Sequence, residues 1–360
     1  MTETQPFIFD VHLDLSMNAM EWNRDLTQPL EKIRICEANQ TDKPDRSMGT
    51  VCLPEMRKGN VGLCVATQIA RYTKQKNPLP GWHSPAQAWA QSQGQLSGYN
   101  EVERQGELTQ TCNLEQLESH LEKWSTGQNK QLPIGYVLSL EGADSIITLQ
   151  HLESAYEKGL RAIGPAHYGP GTYAPGTGES GPLGNGATEL LREMERLNII
   201  LDVTHLSDTS LDQALDTFSG TVWASHCNCR TLVPGERQLN DHQLKRLIER
   251  GGVIGAALDA WMLIPDWQRG LTTPQSSGVK LSHVVDHIDY VCQLAGNSKH
   301  ACIGTDLDGG FGLEQSPGDM ESIADLQKLP SILGKRGYST DDINNVMGLN
   351  AIDILRSAWK

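Results

Sequence analysis

The chain has 360 residues, 38% hydrophobic and 21% charged, and a formal net charge of −14. That length can bury a large core, as two average domains or as one α/β barrel with long loops. The acidic balance and the lack of any Lys/Arg cluster argue against nucleic acid as a partner, because a phosphate-binding surface needs a basic face.

The start, Met1 to Pro6, is short and polar and lacks the basic and apolar segments of a secretory leader. No apolar run approaches the roughly 20 residues needed to cross a bilayer. The expectation is a cytoplasmic protein with no membrane partner. In chain order, apolar runs predict strands at 6–13, 61–68, 134–140, 160–166, 199–204, 220–225, 252–258 and 301–305. Between them, helical spacing of apolar and charged residues predicts helices from Leu114 to Trp124, Thr188 to Leu197, Asp241 to Glu249, Ser282 to Leu294 and Asp341 to Ser357. Ser207, Asn240 and Ser339 or Thr340 stand where N-caps belong, and Gly251-Gly252 and Gly296 where helices end.

A strand-then-helix alternation repeated about eight times predicts an α/β fold of the (β/α)8 TIM-barrel type, read as a single domain over 1–360. Two long excursions, 14–60 and 69–113, follow the first and second strands. They lie on the side where barrel active sites are built, as pocket wall or lid, with Trp22, Trp82 and Trp89 as candidate wall residues. The Gly- and Pro-rich segment 164–186 has no GK[ST] ending and reads as an irregular surface or substrate loop.

Six metal-binding side chains each stand where an apolar run ends: His12 and Asp14, Glu141, His205, His226 and Asp306. A buried parallel strand whose C-terminal end opens into a site has this pattern. His12 and Asp14 are two apart, so a strand's period of two aims both at one face. A carboxylate closing the run Tyr136–Leu140 is costly unless cations or strong donors meet it, and Glu141 can bridge two metals with its two oxygens. Imidazole and carboxylate together suit zinc or a similar divalent ion.

Other candidates take the plainer reading. Cys64 and Cys302 lie inside apolar runs, and Cys227 and Cys229 read as buried thiols. His283 and His287 could share a helix face, but Val284 stands where a zincin motif needs Glu, so they read as an exposed or capping pair. Asp308 is expected to turn away from Asp306 and to orient its neighbour or the loop.

The stretches Asp10-Val-His-Leu-Asp14, Leu138-Ser-Leu-Glu-Gly142, Asp202-Val-Thr-His-Leu-Ser207, Ala224-Ser-His-Cys-Asn228, Arg237-Gln-Leu-Asn-Asp241, Glu249-Arg-Gly-Gly-Val-Ile-Gly255, Ile303-Gly-Thr-Asp-Leu-Asp-Gly309 and Met347-Gly-Leu-Asn350 come in one order. Through them the chain resembles the membrane (renal) dipeptidases, peptidase family M19 of the amidohydrolase superfamily. The resemblance implies two zinc ions in a (β/α)8 barrel. One would be held by His12, Asp14, Glu141 and Asp306, the other by Glu141, His205 and His226. It further implies that His167 polarises the scissile carbonyl and that Arg237 holds the substrate's C-terminal carboxylate. Asp306 would serve as general base and then acid toward a metal-bridged hydroxide, with Glu141 also part of the catalytic set.

The sequence departs from the family pattern at Val11 (usually Gly), at Leu13 (usually Asn) and in Ala66-Thr-Gln-Ile69, which lacks the family's aromatic residues. Asp259 falls where a substrate-contacting tyrosine is expected, and a carboxylate there would repel a substrate carboxylate. The function implied is a zinc-dependent dipeptidase acting on small dipeptide-like substrates, including those with a D-residue at the second position. A homodimer is compatible with it. The alternatives are another binuclear amidohydrolase acting on N-acyl amino acids or related amides, and a ligand-binding barrel without turnover.

Overall fold

A computed structural model describes residues 5–73, 79–126 and 131–360. Its strands are β1 (Ile8–Leu13), β2 (Val61–Ile69), β3 (Leu108–Gln110), β4 (Ile134–Glu141), β5 (Leu160–Gly164), β6 (Ile200–Asp202), β7 (Val222–Ala224), β8 (Val253–Ala256) and β9 (Ala301–Ile303). The order β2-β1-β9-β8-β7-β6-β5-β4, with β2 paired back to β4, closes a parallel barrel. All eight strands expected from the sequence are in that ring. β3 is an addition, pairing with Ile134–Tyr136 and lying end to end with β5 on one edge of β4. Its sequence, Leu-Thr-Gln, holds no apolar run, unlike the equally short β6, β7 and β9.

Side chains alternate along the strands between two clusters. Phe9, Val11, Leu63, Val65, Val137, Ala162, Ile200, Trp223, Val253 and Cys302 fill the barrel. Their neighbours, such as Ile8, Leu138, Leu201 and Ile303, pack against the surrounding helices. Filling by branched and aromatic side chains makes the barrel a core rather than a pore. Each fully buried Val, Leu, Ile or Phe there contributes about 2 kcal/mol. Val11 takes the space left by two glycines, since a Cβ on Gly255 or Gly304 would meet its methyl at 2.9 or 3.0 Å.

β1 carries the irregularity that matters. Between Asp10 and Leu13 it advances three residues while β2 advances two, which is a bulge. Phe9 and Val11 lie inside the barrel, whereas Leu13 lies outside. The alternation therefore resets within the bulge and turns His12 and Asp14 to the barrel mouth.

Most helices match their expected spans, and Ser207, Asn240 and Ser339 each cap a helix N-terminus. The last expected helix is broken. A π-helical turn at Asn345–Leu349 separates Thr340–Asn344 from Asn350–Ala358. Here Gly348 packs against β1, where a Cβ would stand 3.2 Å from the Phe9 nitrogen. Asn350 donates to the Ser298 and Ala301 carbonyls at 2.7 and 2.8 Å.

The excursion 69–113 contains a 20-residue helix, Pro85–Arg104. Its glutamines and glycines blur the apolar stripe, although Ser84 before Pro85 is a start signal that the sequence offers. Among the described residues no helix is long and apolar enough to cross a membrane.

Candidate metal centre

His12, Asp14, Glu141, His205, His226 and Asp306 meet at the C-terminal mouth of the barrel. They form three overlapping groups: His12–Asp14–Glu141, Glu141–His205–His226 and His12–His226–Asp306, with ligand atoms in each within 4.8 Å of one another. Glu141 is at the centre. Its Oε1 lies 3.2 Å from His205 Nε2, 3.3 Å from His226 Nε2 and 3.8 Å from His12 Nε2. His12 Nε2 is also 3.8 Å from Asp14 and 3.7 Å from Asp306.

The imidazoles are held from behind. His205 Nδ1 meets the Thr177 hydroxyl at 2.8 Å, and Ser225 Oγ lies 2.9 Å from His226 Nδ1 and 3.3 Å from His12 Nδ1. Each ring thus turns Nε2 into the cavity, and His12 Nε2 is buried with no hydrogen-bond partner. Such backing fixes the tautomer of a ligating histidine. Thr177 comes from the Gly- and Pro-rich segment, so that segment supports a candidate ligand from behind.

Two carboxylates fasten the strand ends. Asp10 accepts from the His12 and Thr305 N–H groups at 3.2 and 2.9 Å and from the Thr305 hydroxyl at 2.6 Å. Asp202 accepts from the Thr204 and Ser225 N–H groups at 3.0 Å. The arrangement is the same twice: an aspartate binds the residue two ahead and the residue just before the next strand's candidate ligand, Asp306 or His226. His205 and Asp306 both have left-handed backbone, with φ of 67° and 56°. For non-glycine residues this conformation costs about 1–3 kcal/mol and clusters at functional sites.

The electrostatics fit divalent cations. Burial, and then Asp14 and Asp306, push Glu141 well above the ordinary carboxylate range. Burial, and then Asp14, do the same to Asp306, and Asp14 is raised to about 6 by burial. His12 is lowered to about 3 by burial and then by Arg237, and His205 and His226 are lowered well below 6.5, by burial first. Crowded anions disfavour their own charge, while neutral imidazoles suit metal ligation. A divalent cation reverses the penalty on the carboxylates.

The cluster forms the floor of a cavity of about 440 Å³. His167 stands on its wall, its Nε2 3.8 Å from Glu141 Oε2, with burial holding its basicity well below normal. Arg237 is 4% exposed; it donates to the His226 carbonyl at 2.9 Å and to Cys227 Sγ at 3.4 Å. Among the described residues no carboxylate lies within ion-pair distance of it.

Asp259 also lines the cavity, but its carboxylate is engaged. It accepts from Trp261 Nε1 at 2.5 Å and Gln315 Nε2 at 2.8 Å, and Arg269 lies 3.5 Å away. The expected repulsion is thereby offset within the protein.

Of the expected tryptophans only Trp22 lines the cavity, together with Tyr168 and Trp261, which the sequence reading did not single out. Trp82 instead exchanges backbone hydrogen bonds with Arg71 and Thr73, and Trp89 packs on His151. His283 accepts from the Lys280 N–H at the start of its helix, as a capping residue does. His287 differs from the expectation: it is 2% exposed and accepts from the Cys229 N–H at 3.1 Å. Asp308 turns away as expected, accepting from the Thr50 N–H and hydroxyl at 2.7 Å and the Val51 N–H at 3.0 Å.

A parallel barrel carrying a buried His/Asp/Glu cluster at its C-terminal mouth defines a metal-binding α/β-barrel protein. The sequence profile of membrane dipeptidase, peptidase family M19, matches residues 2–360, and the chain belongs to that family. The family is metal-dependent, and this chain has candidate ligand groups for a metal. Dipeptidase tcpJ of Claviceps purpurea is 29% identical over 233 residues, covering 62% of this chain and 51% of that protein. This chain thus spans about half that relative's length. A solved metallopeptidase of family M19, dipeptidase AC, superposes with a TM-score of 0.79 at 21% identity over 99% of both chains. A metallopeptidase from Rhodobacter sphaeroides, liganded with a phosphinate mimic of the dipeptide L-Ala-D-Ala, gives 0.76 at 19% identity over 99% of this chain and 100% of that one. At such identities the likeness shows the barrel fold.

Proposed function

We propose that this protein is a metal-dependent dipeptidase. The observation that carries the reading is Arg237, a buried guanidinium with no carboxylate partner among the described residues, on the wall of the cavity whose floor is the ligand cluster. A buried charge left unpaired is expensive, so the site is built for an anion. A substrate's terminal carboxylate meets that need through a bidentate pair. The dipeptide-mimic ligand of the Rhodobacter structure supports the same substrate class.

In this reading His12, Asp14, Glu141 and Asp306 hold one ion, and Glu141, His205 and His226 hold a second, with zinc suited to both donor sets. Two bound divalent cations would acidify water and polarise the scissile carbonyl. Arg237 orients the substrate by its carboxylate. His167, kept neutral by burial, donates a hydrogen bond to the oxygen that gains charge. Asp306 carries the proton from water to the leaving nitrogen. Its side chain is 15% exposed, against 1%, 4% and 8% for His12, Asp14 and Glu141, so it is the carboxylate a substrate reaches. In this reading the described residues make one catalytic barrel, because Asp308 ties the first excursion into the barrel rim.

The test is metal analysis of the purified protein, paired with dipeptides carrying L- or D-residues at the second position. Metal near two equivalents and turnover of dipeptides are expected. Turnover of N-acyl amino acids but of no dipeptide overturns the reading.

A further inference from the structure

Besides Arg237, the cavity wall carries the cations Lys43, Arg71 and Arg269. Arg269 is engaged, 3.5 Å from Asp259 and stacked over the Trp261 ring at 4.7 Å. Lys43 lies over the Trp22 ring at 4.1 Å, and neither it nor Arg71 has a carboxylate within ion-pair distance among the described residues. Arg71 Nε donates to the Pro80 carbonyl at 3.0 Å, which orients the guanidinium, and among the described residues its terminal nitrogens have no hydrogen-bond acceptor.

The barrel sets where Arg71 stands. It follows β2, and Arg237 follows β7. In the ring of eight strands these are four steps apart in either direction, so the two arginines come from opposite sides of the mouth. The ligand cluster lies between them. The Arg71 charge is felt at Asp14, His167 and His205, which keeps it on the cluster's side of the cavity. A dipeptide whose terminal carboxylate meets Arg237, with its scissile bond over the cluster, extends its first residue toward β2. Glu21, which also lines the cavity, offers an acceptor for the α-ammonium. The remaining group on that residue is its side chain.

Resting on the dipeptidase reading, we propose that Arg71 makes the protein selective for dipeptides whose first residue carries a carboxylate side chain, with Lys43 adding positive charge to the same cavity. An oriented guanidinium recognises a carboxylate through paired hydrogen bonds that an amide cannot reproduce, because the amide presents a donor where an acceptor is needed.

The experiment compares kcat/KM of the metal-loaded protein on Glu-Ala and Gln-Ala, which match in shape and differ in charge, with alanine of either hand at the second position. The Glu/Gln ratio is expected to be about tenfold or more in the native protein, to fall toward one in Arg71→Met, and to be intermediate in Arg71→Lys, which keeps the charge without the fork. Metal content measured on each variant separates a lost preference from a lost site. A native ratio near or below one overturns the proposal, as does a high ratio that Arg71→Met leaves in place. In both cases cleavage of neutral dipeptides leaves the dipeptidase reading standing. Failure to cleave any dipeptide removes that reading and this proposal together.

Discussion

Thr305 donates twice to Asp10, from its N–H at 2.9 Å and its hydroxyl at 2.6 Å, and so joins the end of β9 to the middle of β1. The next residue, Asp306, is a candidate ligand with left-handed backbone. Thr305→Val keeps the shape and removes the hydroxyl. It is expected to destabilise the protein by about 2 kcal/mol, the scale of a hydrogen bond to an ionisable partner. It should lower kcat more than it raises KM. Denaturant unfolding and steady-state kinetics check both outcomes.

Glu141 Oε1 stands within 3.8 Å of three imidazole nitrogens, so its charge serves the whole cluster. Glu141→Gln keeps the volume and loses the anion. Metal content should fall by at least one equivalent and kcat/KM by roughly a thousandfold or more, since groups that act as a unit fail together. An unchanged metal content and rate would remove Glu141 from the bridging role.

Arg24 is buried among Glu37, Asp45 and Asp308, at 2.8, 3.0 and 3.5 Å. Arg24→Met leaves those carboxylates without their shared cation. The expected cost is about 3–5 kcal/mol, as for one partner removed from a buried ion pair. Hydrogen exchange should quicken over 14–60 before it does over the barrel strands.

Burial holds His287 at about 4, below its ordinary 6.5, so the folded protein keeps the ring neutral. As pH falls below 6.5 the unfolded chain takes up a proton that the folded chain refuses until about 4. The contribution to stability is therefore complete above 6.5 and lost as pH falls through that window. The stability advantage of native protein over His287→Gln should shrink by about 2 kcal/mol between pH 7.5 and pH 5, measured by denaturant unfolding with metal chelated.

The barrel was legible because each strand is a short apolar run with caps and glycines around it, as at Val222–Ala224. The six candidate ligands were legible because each interrupts or ends such a run. Asp10 and Asp202 stand within the motifs, but their pairing across strands depends on register, which no local pattern encodes. Thr177 and Thr67 back His205 and Asp14 through single hydroxyls, with no recurring spacing to mark them. Trp82 and Trp89 depart from the expectation for a related reason: which loop aromatic faces the cavity depends on the path of the chain, and a helix carries Trp89 away.

The clasps at Asp10 and Asp202 grip main-chain N–H groups, which every residue but proline supplies. Unlike the Thr305 hydroxyl on Asp10, these main-chain bonds do not depend on which side chains their donors carry. Val11, inside the barrel, and Leu13, against the helices, can vary with the packing around them while the rim keeps its shape. Proline at His12, Thr204, Ser225 or Thr305 is the exchange that would unhook it.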